Sequence, residues 1–165
     1  HRKKFPAAYF VHNFRETNQN TMNQIKKQVN VLLADDDPND QARMQMALNG
    51  AARKSKIDLV CNGMQLLEYL VKQHNSKKRE MPDLIITDLY MPFAGGLHVL
   101  KQIRKREEFR NIPIYVFSAN NDKTIRSKVL ENGATEFHQK PGDFNSLQAI
   151  VNTILSRPVG VPVEV

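Results

Sequence analysis

Five β-type runs, each followed by a segment of helical periodicity, leave few folds open to this chain. Val29–Ala34 is almost continuously apolar. Residues 37–40 (Asp-Pro-Asn-Asp) then read as a helix start, with Asp37 as N-cap and Pro38 at the first helical position. Asn49-Gly50 stops that helix. A short second strand over 57–60 precedes a helix over 65–71 with Met64, Leu67 and Val71 on one stripe, then a polar loop over 72–80. The third strand, 83–87, leads through Gly95-Gly96 into a helix carrying Leu97, Leu100, Ile103 and Arg104. The fourth, 112–117, precedes a helix over 122–132 with Ile125, Val129 and Leu130, ended by Gly133. The fifth, 135–139, precedes a helix over 144–155 with Leu147, Ile150, Val151 and Ile154 inward. Five β/α units in series predict an α/β fold: a doubly wound, five-stranded parallel sheet with helices on both faces and right-handed crossovers. Strands 1, 3 and 4 are nearly all apolar, as a sheet buried on both sides requires.

The 165 residues suit one domain with a sizeable core. Residues 1–24 are rich in Asn, Gln and Thr without periodicity and read as a flexible N-terminal extension, with Met22 a candidate natural start. The domain is expected over 25–156, and 157–165, with two prolines, as a loose tail. No apolar run approaches the roughly 20 residues of a membrane span, and no secretory leader is evident. The single cysteine, Cys61, fits a reducing cytoplasm and reads as a packing residue. Of the net charge of +7, Arg2, Lys3, Lys4 and Arg15 against Glu16 supply +3. No basic groove-binding helix accompanies the charge, so it reads as solvated loops and not a nucleic-acid face. The five histidines lack metal-ligand spacing, and His98 and His138 read as surface or rim residues.

Several strands end in chemically useful residues. Asp88 closes the third, Asp35-Asp36-Asp37 follow the first, Ser118 follows the fourth and Lys140-Pro141 the fifth. In open α/β sheets the carboxyl ends of the strands form the binding rim. Carboxylates crowded there repel one another unless a cation is present. Mg²⁺ binds through one or two carboxylates and keeps places for phosphate oxygens. Lys140 supplies a point charge for phosphate, Ser118 a hydroxyl, and an Asp can form an aspartyl phosphate. Singly, each residue has a bland account as a helix cap or a turn. Convergence at four strand ends favours a phosphoryl site.

Residues 29–155 resemble the response-regulator receiver domain, the CheY-like family. The matching residues are Asp35-Asp36, Asp88 with Met91-Pro92 and Gly96, Ser118-Ala119, Gly133-Ala134, Phe137 and Lys140-Pro141. The resemblance implies strand order 2-1-3-4-5 and Asp88 as phosphoacceptor. It implies Mg²⁺ on Asp36 directly, on Asp35 through water, on Asp88 and on the Tyr90 carbonyl. It assigns Lys140 to the phosphoryl group, Ser118 and Phe137 to a conformational switch, and a cis bond to Lys140-Pro141. Tyr90 and Asn120, two residues after Asp88 and Ser118, are expected to tune the phosphoryl lifetime. The implied donor is a sensor histidine kinase or histidine phosphotransfer protein. The implied output surface, for a protein target or a homodimer, comprises the fourth helix, fifth strand and fifth helix. Val159, Val161, Val163 and Val165 read as part of such a pairing or as disordered tail. A stand-alone, non-enzymatic, cytoplasmic bacterial regulator is expected, similar to those coupled to phytochrome-type kinases. Two departures stand out: Phe137 where many members have Tyr, and Gly95 where an acidic residue is common.

Two other readings use the same residues differently. The Asp35-x-Asp37 spacing suits a haloacid-dehalogenase-like phosphatase with Asp35 as nucleophile. Pro38 replaces its usual Gly-Thr turn, however, no cap domain is evident, and Asp88 would have no role. A DNA-binding module rests on the positive charge alone.

Overall fold

The computed structural model describes residues 28–158 except Arg79. The element order is β1 (Val29–Ala34), α1 (Pro38–Asn49), β2 (Ser55–Val60), α2 (Gly63–Asn75), β3 (Leu84–Asp88), α3 (Gly96–Lys105), β4 (Ile114–Ser118), α4 (Lys123–Glu131), β5 (Glu136–Gln139) and α5 (Phe144–Ser156). All neighbouring strands pair in parallel, in the order β2-β1-β3-β4-β5. The fold class and strand order are as expected.

Alternation along the strands divides the core. Leu32, Ala34, Ile85, Ile114, Val116 and Phe137 point to the layer holding α2, α3 and Val129 of α4. Val29, Val31, Leu33, Leu84, Ile86, Tyr115 and Phe117 point to the layer of α1 and α5. Each large aliphatic or aromatic side chain so buried contributes about 1.5–3 kcal/mol.

Local chemistry sets the element ends. Asp37 caps α1 by accepting from the Asn39 N–H at 2.7 Å, with Pro38 behind it as predicted. Asn62, Asp122 and Asp143 cap α2, α4 and α5 in the same way. Helix α2 runs four residues past the expected stop at 71. His74 in the added turn packs edge-on against buried Phe109, with ring centroids 5.8 Å apart, so the polar stretch still has a place to dock.

The fully buried face of α2 is Gly63, Leu66 and Leu70; of the expected stripe, Leu67 and Val71 pack partly buried against the core, while Met64 is 48% exposed. In α4 only Val129 is fully buried, and Leu130 faces outward. Among the described residues no peptide bond is cis, so Lys140–Pro141 is trans, contrary to the expectation from resemblance. There the Lys140 N–H donates to the Ser118 carbonyl at 2.8 Å, and Arg43 Nη2 donates to the Pro141 carbonyl at 3.0 Å. The predicted extension over 1–24 and the four C-terminal valines lie outside the described residues. No helix among the described residues is long and apolar enough to cross a membrane.

Candidate phosphoryl and metal site

The sheet register assembles the site. Ala34 pairs with Thr87, so Asp35 and Asp88 leave adjacent strands at the same level. Asp88 pairs with Phe117, and Ser118 with Gln139, which places Ser118 and Lys140 one step further along the neighbouring strands. Four separated segments thus meet at the carboxyl rim, where the sequence placed them.

Lys140 is the hub. Its Nζ donates to Asp40 Oδ2 at 2.7 Å, Asp88 Oδ2 at 2.8 Å and Asp35 Oδ2 at 2.9 Å. These are charge-assisted bonds at largely buried side chains, the lysine being 17% exposed, Asp35 8% and Asp88 12%. Burial works against the ammonium, but the bonds to Asp40, Asp88 and Asp35 outweigh it and hold the Lys140 pKa above its ordinary value. Burial pushes the Asp35 carboxyl up from 3.8, and the hydrogen bonds from Lys140 and the Asp37 N–H offset it only in part.

Other contacts fix the carboxylates in place. Asp35 Oδ1 accepts from the Asp37 N–H at 2.9 Å, and Gln41 Nε2 donates to the Asp35 carbonyl at 2.5 Å. Asp88 Oδ1 accepts from the Tyr90 N–H at 3.1 Å, while the buried Thr87 hydroxyl donates to the Asp88 carbonyl at 3.0 Å. Asp36 is exposed at the mouth of the site. Oxygen atoms of Asp35, Asp36 and Asp88 lie within 4.8 Å of one another. Hard oxygen donors at that separation suit a divalent cation such as Mg²⁺ or Mn²⁺.

Ser118 is fully buried and accepts from the Asn120 N–H at 3.2 Å. The Asn120 side chain takes up the Asp122 N–H at 2.9 Å, at the start of α4. Phe137 is only 2% exposed. Arg126 of α4 covers it, with Nη1 donating to the Phe137 carbonyl at 3.0 Å and the guanidinium 5.7 Å from the ring centre. Tyr90 is 54% exposed beside Asp88.

Sequence reasoning read Asp40 only as part of a helix start. One turn into α1 it swings back over the rim and makes the shortest of the Lys140 bonds; an acidic residue three after a carboxylate N-cap was the available signal. Arg43, which also holds the Gly142 carbonyl at 3.2 Å, was missed as well. No local pattern marks a residue whose partners lie about a hundred positions away.

Residues 31–152 match the family model described as response regulator receiver domain. The chain is 30% identical over 129 residues to response regulator Rre1 of Synechocystis sp. (strain ATCC 27184 / PCC 6803 / Kazusa), an alignment covering 78% of this chain and 52% of Rre1. The chain therefore spans about half the length of that relative. Among solved structures, the phosphorylated cyanobacterial phytochrome response regulator RcpA superposes with a TM-score of 0.68 at 24% identity, over 78% of this chain and 91% of RcpA. The Mn²⁺-bound form of response regulator Rcp1 gives 0.70 at 21% identity, over 83% of this chain and 99% of Rcp1. A parallel five-stranded sheet with an acidic pocket and a lysine at its carboxyl rim fits a receiver domain. The chain belongs to the response regulator receiver domain family. The comparisons give the dehalogenase-like phosphatase reading no support.

Proposed function

We propose that Asp88 accepts a phosphoryl group from a phosphohistidine on a sensor kinase or phosphotransfer protein, and that the domain stores the signal on that carboxylate. The observation that carries this is the Lys140 ammonium bonded to Asp88 Oδ2 while it also holds Asp35 and Asp40. It places one cation among several carboxylates in a small volume and beside the oxygen that attacks.

An Asp88 oxygen forms the new bond to phosphorus as the bond to the donor's imidazole nitrogen breaks. Lys140 moves its bond from the carboxylate to a phosphoryl oxygen, which keeps charge neutralised through the transfer. Asp36, Asp88 and the Tyr90 carbonyl would hold Mg²⁺, with Asp35 reaching it through water, and the ion would supply charge neutralisation on the phosphoryl oxygens. Metal in the structure of Rcp1 supports this use of the acidic cluster.

The readout is Ser118 with Phe137. The Ser118 hydroxyl turns toward the phosphoryl group, Phe137 follows, and Arg126 carries the change to α4 because it holds the Phe137 carbonyl and ring. Output is through the face of α4, β5 and α5, by contact with a protein target or a second copy. This is signalling in a cytoplasmic setting and not turnover of a metabolite. Incubation with Mg²⁺ and acetyl phosphate tests the proposal by intact mass. A gain of about 80 Da that requires Asp88 supports it; an equal gain in Asp88→Asn sinks it.

A further inference from the structure

The amino-terminal rim of the sheet, at the opposite end from Asp88, carries a cavity of about 280 Å³ lined by Arg104, Arg110, Asn111, Ile112, Leu130 and Thr135, among others. Arg104 comes from the last turn of α3 and lies across the α4–β5 turn. Its Nε donates to the Gly133 carbonyl at 2.8 Å and its Nη1 to the Ile112 carbonyl at 2.9 Å. The contact is close: a Cβ at Gly133, whose φ is +94°, would stand 3.0 Å from Arg104 Cγ and Nε. This glycine both takes the left-handed turn and makes room for the guanidinium.

Two features set Arg104 apart from an ordinary structural tie. Its partners are neutral carbonyls, and among the described residues it pairs with no carboxylate and leaves Nη2 without a partner. Burial then lowers its pKa with nothing acidic to offset the cost. Among the described residues the second guanidinium at the cavity, Arg110, reaches only Glu107 at 3.3 Å, through side chains 55% and 85% exposed. A pair so exposed is weak and yields readily to another anion. The rest of the wall is largely apolar, supplied by Ile112, Pro113, Leu130 and Ala134.

We propose that this cavity binds a small organic oxyanion, a carboxylate or phosphate on a compact apolar body, with Arg104 and Arg110 on the head group and Ile112 and Leu130 against the body. The planar fork of arginine suits either head group. The volume is at the lower end for small-molecule sites, so the ligand is of about ten heavy atoms. The site is independent of the role given to Asp88.

Benzoate and phenyl phosphate serve as probes, titrated into the full chain with two-dimensional ¹H–¹⁵N NMR at constant ionic strength against sodium chloride. The expected result is saturable shifts at the Arg104 Nε–H and at the amides of Asn111, Gly133 and Thr135, with little change at Asp88. Arg110→Gln, which touches no fold-bearing contact, is expected to weaken binding roughly tenfold, and Arg104→Lys at least as much. Binding of one probe alone identifies the head group and supports the site. Shifts no greater than those from chloride overturn it, as does binding unchanged in Arg110→Gln.

Discussion

Lys140 Nζ lies 2.8 Å from Asp88 Oδ2 and spans from the end of β5 to the end of β3, past the intervening β4. The same nitrogen holds Asp35 and Asp40, so one side chain cross-links three carboxylates from two other segments. Replacing it with Met leaves three acids with no cation in a largely buried space. We expect Lys140→Met to lose about 2 kcal/mol of stability at neutral pH without metal. Millimolar Mg²⁺ is expected to restore part of that loss. Urea unfolding with and without Mg²⁺ reads both effects, and equal loss in the two conditions would contradict the metal assignment.

A proton and a metal ion are expected to compete at Asp35. Its carboxyl is raised above 3.8 by burial, so it takes up a proton at a higher pH than an ordinary aspartate. A raised folded-state pKa gives stability that is fully present below 3.8 and is lost as pH rises through the folded value. In the metal-free protein, ionised Asp35 is thus a cost at neutral pH. Mg²⁺ needs the ionised form, so its affinity is expected to fall on acidification before ordinary carboxylates titrate. Calorimetric titration at a series of pH values below 7 checks this, with Asp35→Asn expected to flatten the dependence.

Adjacent glycines at the start of α3 differ sharply. A Cβ on Gly96 would stand 2.5 Å from the Asp88 carbonyl oxygen, while one on Gly95 meets only the Leu89 carbonyl at 3.4 Å. Gly96→Ala is expected to cost about 1–3 kcal/mol and to displace the loop beside Asp88. Gly95 is an N-cap without a side-chain bond, so Gly95→Asp is expected to add a few tenths of a kcal/mol. Thermal unfolding of the two variants should move in opposite directions.

Tyr90 is exposed beside Asp88, and its ring is expected to hinder an attacking water. Tyr90→Ala is expected to speed loss of the phosphoryl group severalfold without changing stability. A phosphate-release assay on phosphorylated protein measures it, and an unchanged rate removes Tyr90 from this role.

How far the sequence carried depended on the kind of signal. Asp35, Asp88, Ser118 and Lys140 were legible because each closes a β run, and parallel pairing brings such ends to one rim. Asp40 and Arg43 were not, because their partner segment follows β5, about a hundred residues away, and only the packing of α1 against the sheet brings it near. The fully buried row of α2 lies one residue from the expected stripe, whose Leu67 and Val71 pack at its edge. Leu66 and Leu70 have the same helical spacing as Leu67 and Val71, and period alone does not choose between adjacent apolar rows. The helix extended to Asn75 because Phe109 offered His74 a surface, which is information held in a distant loop. The trans Lys140–Pro141 bond runs against an expectation that came from resemblance and not from this chain's own residues.

Asp88 is expected to carry the phosphoryl group. Borohydride reduces an aspartyl phosphate to homoserine, which marks the acceptor permanently. After reaction with acetyl phosphate and Mg²⁺, reduction and tryptic digestion, sequencing the 28–43 and 80–101 peptides by mass spectrometry reads the site directly. Homoserine is expected at position 88 and at no other aspartate. Homoserine at position 35 or 36, with position 88 unmodified, would contradict it.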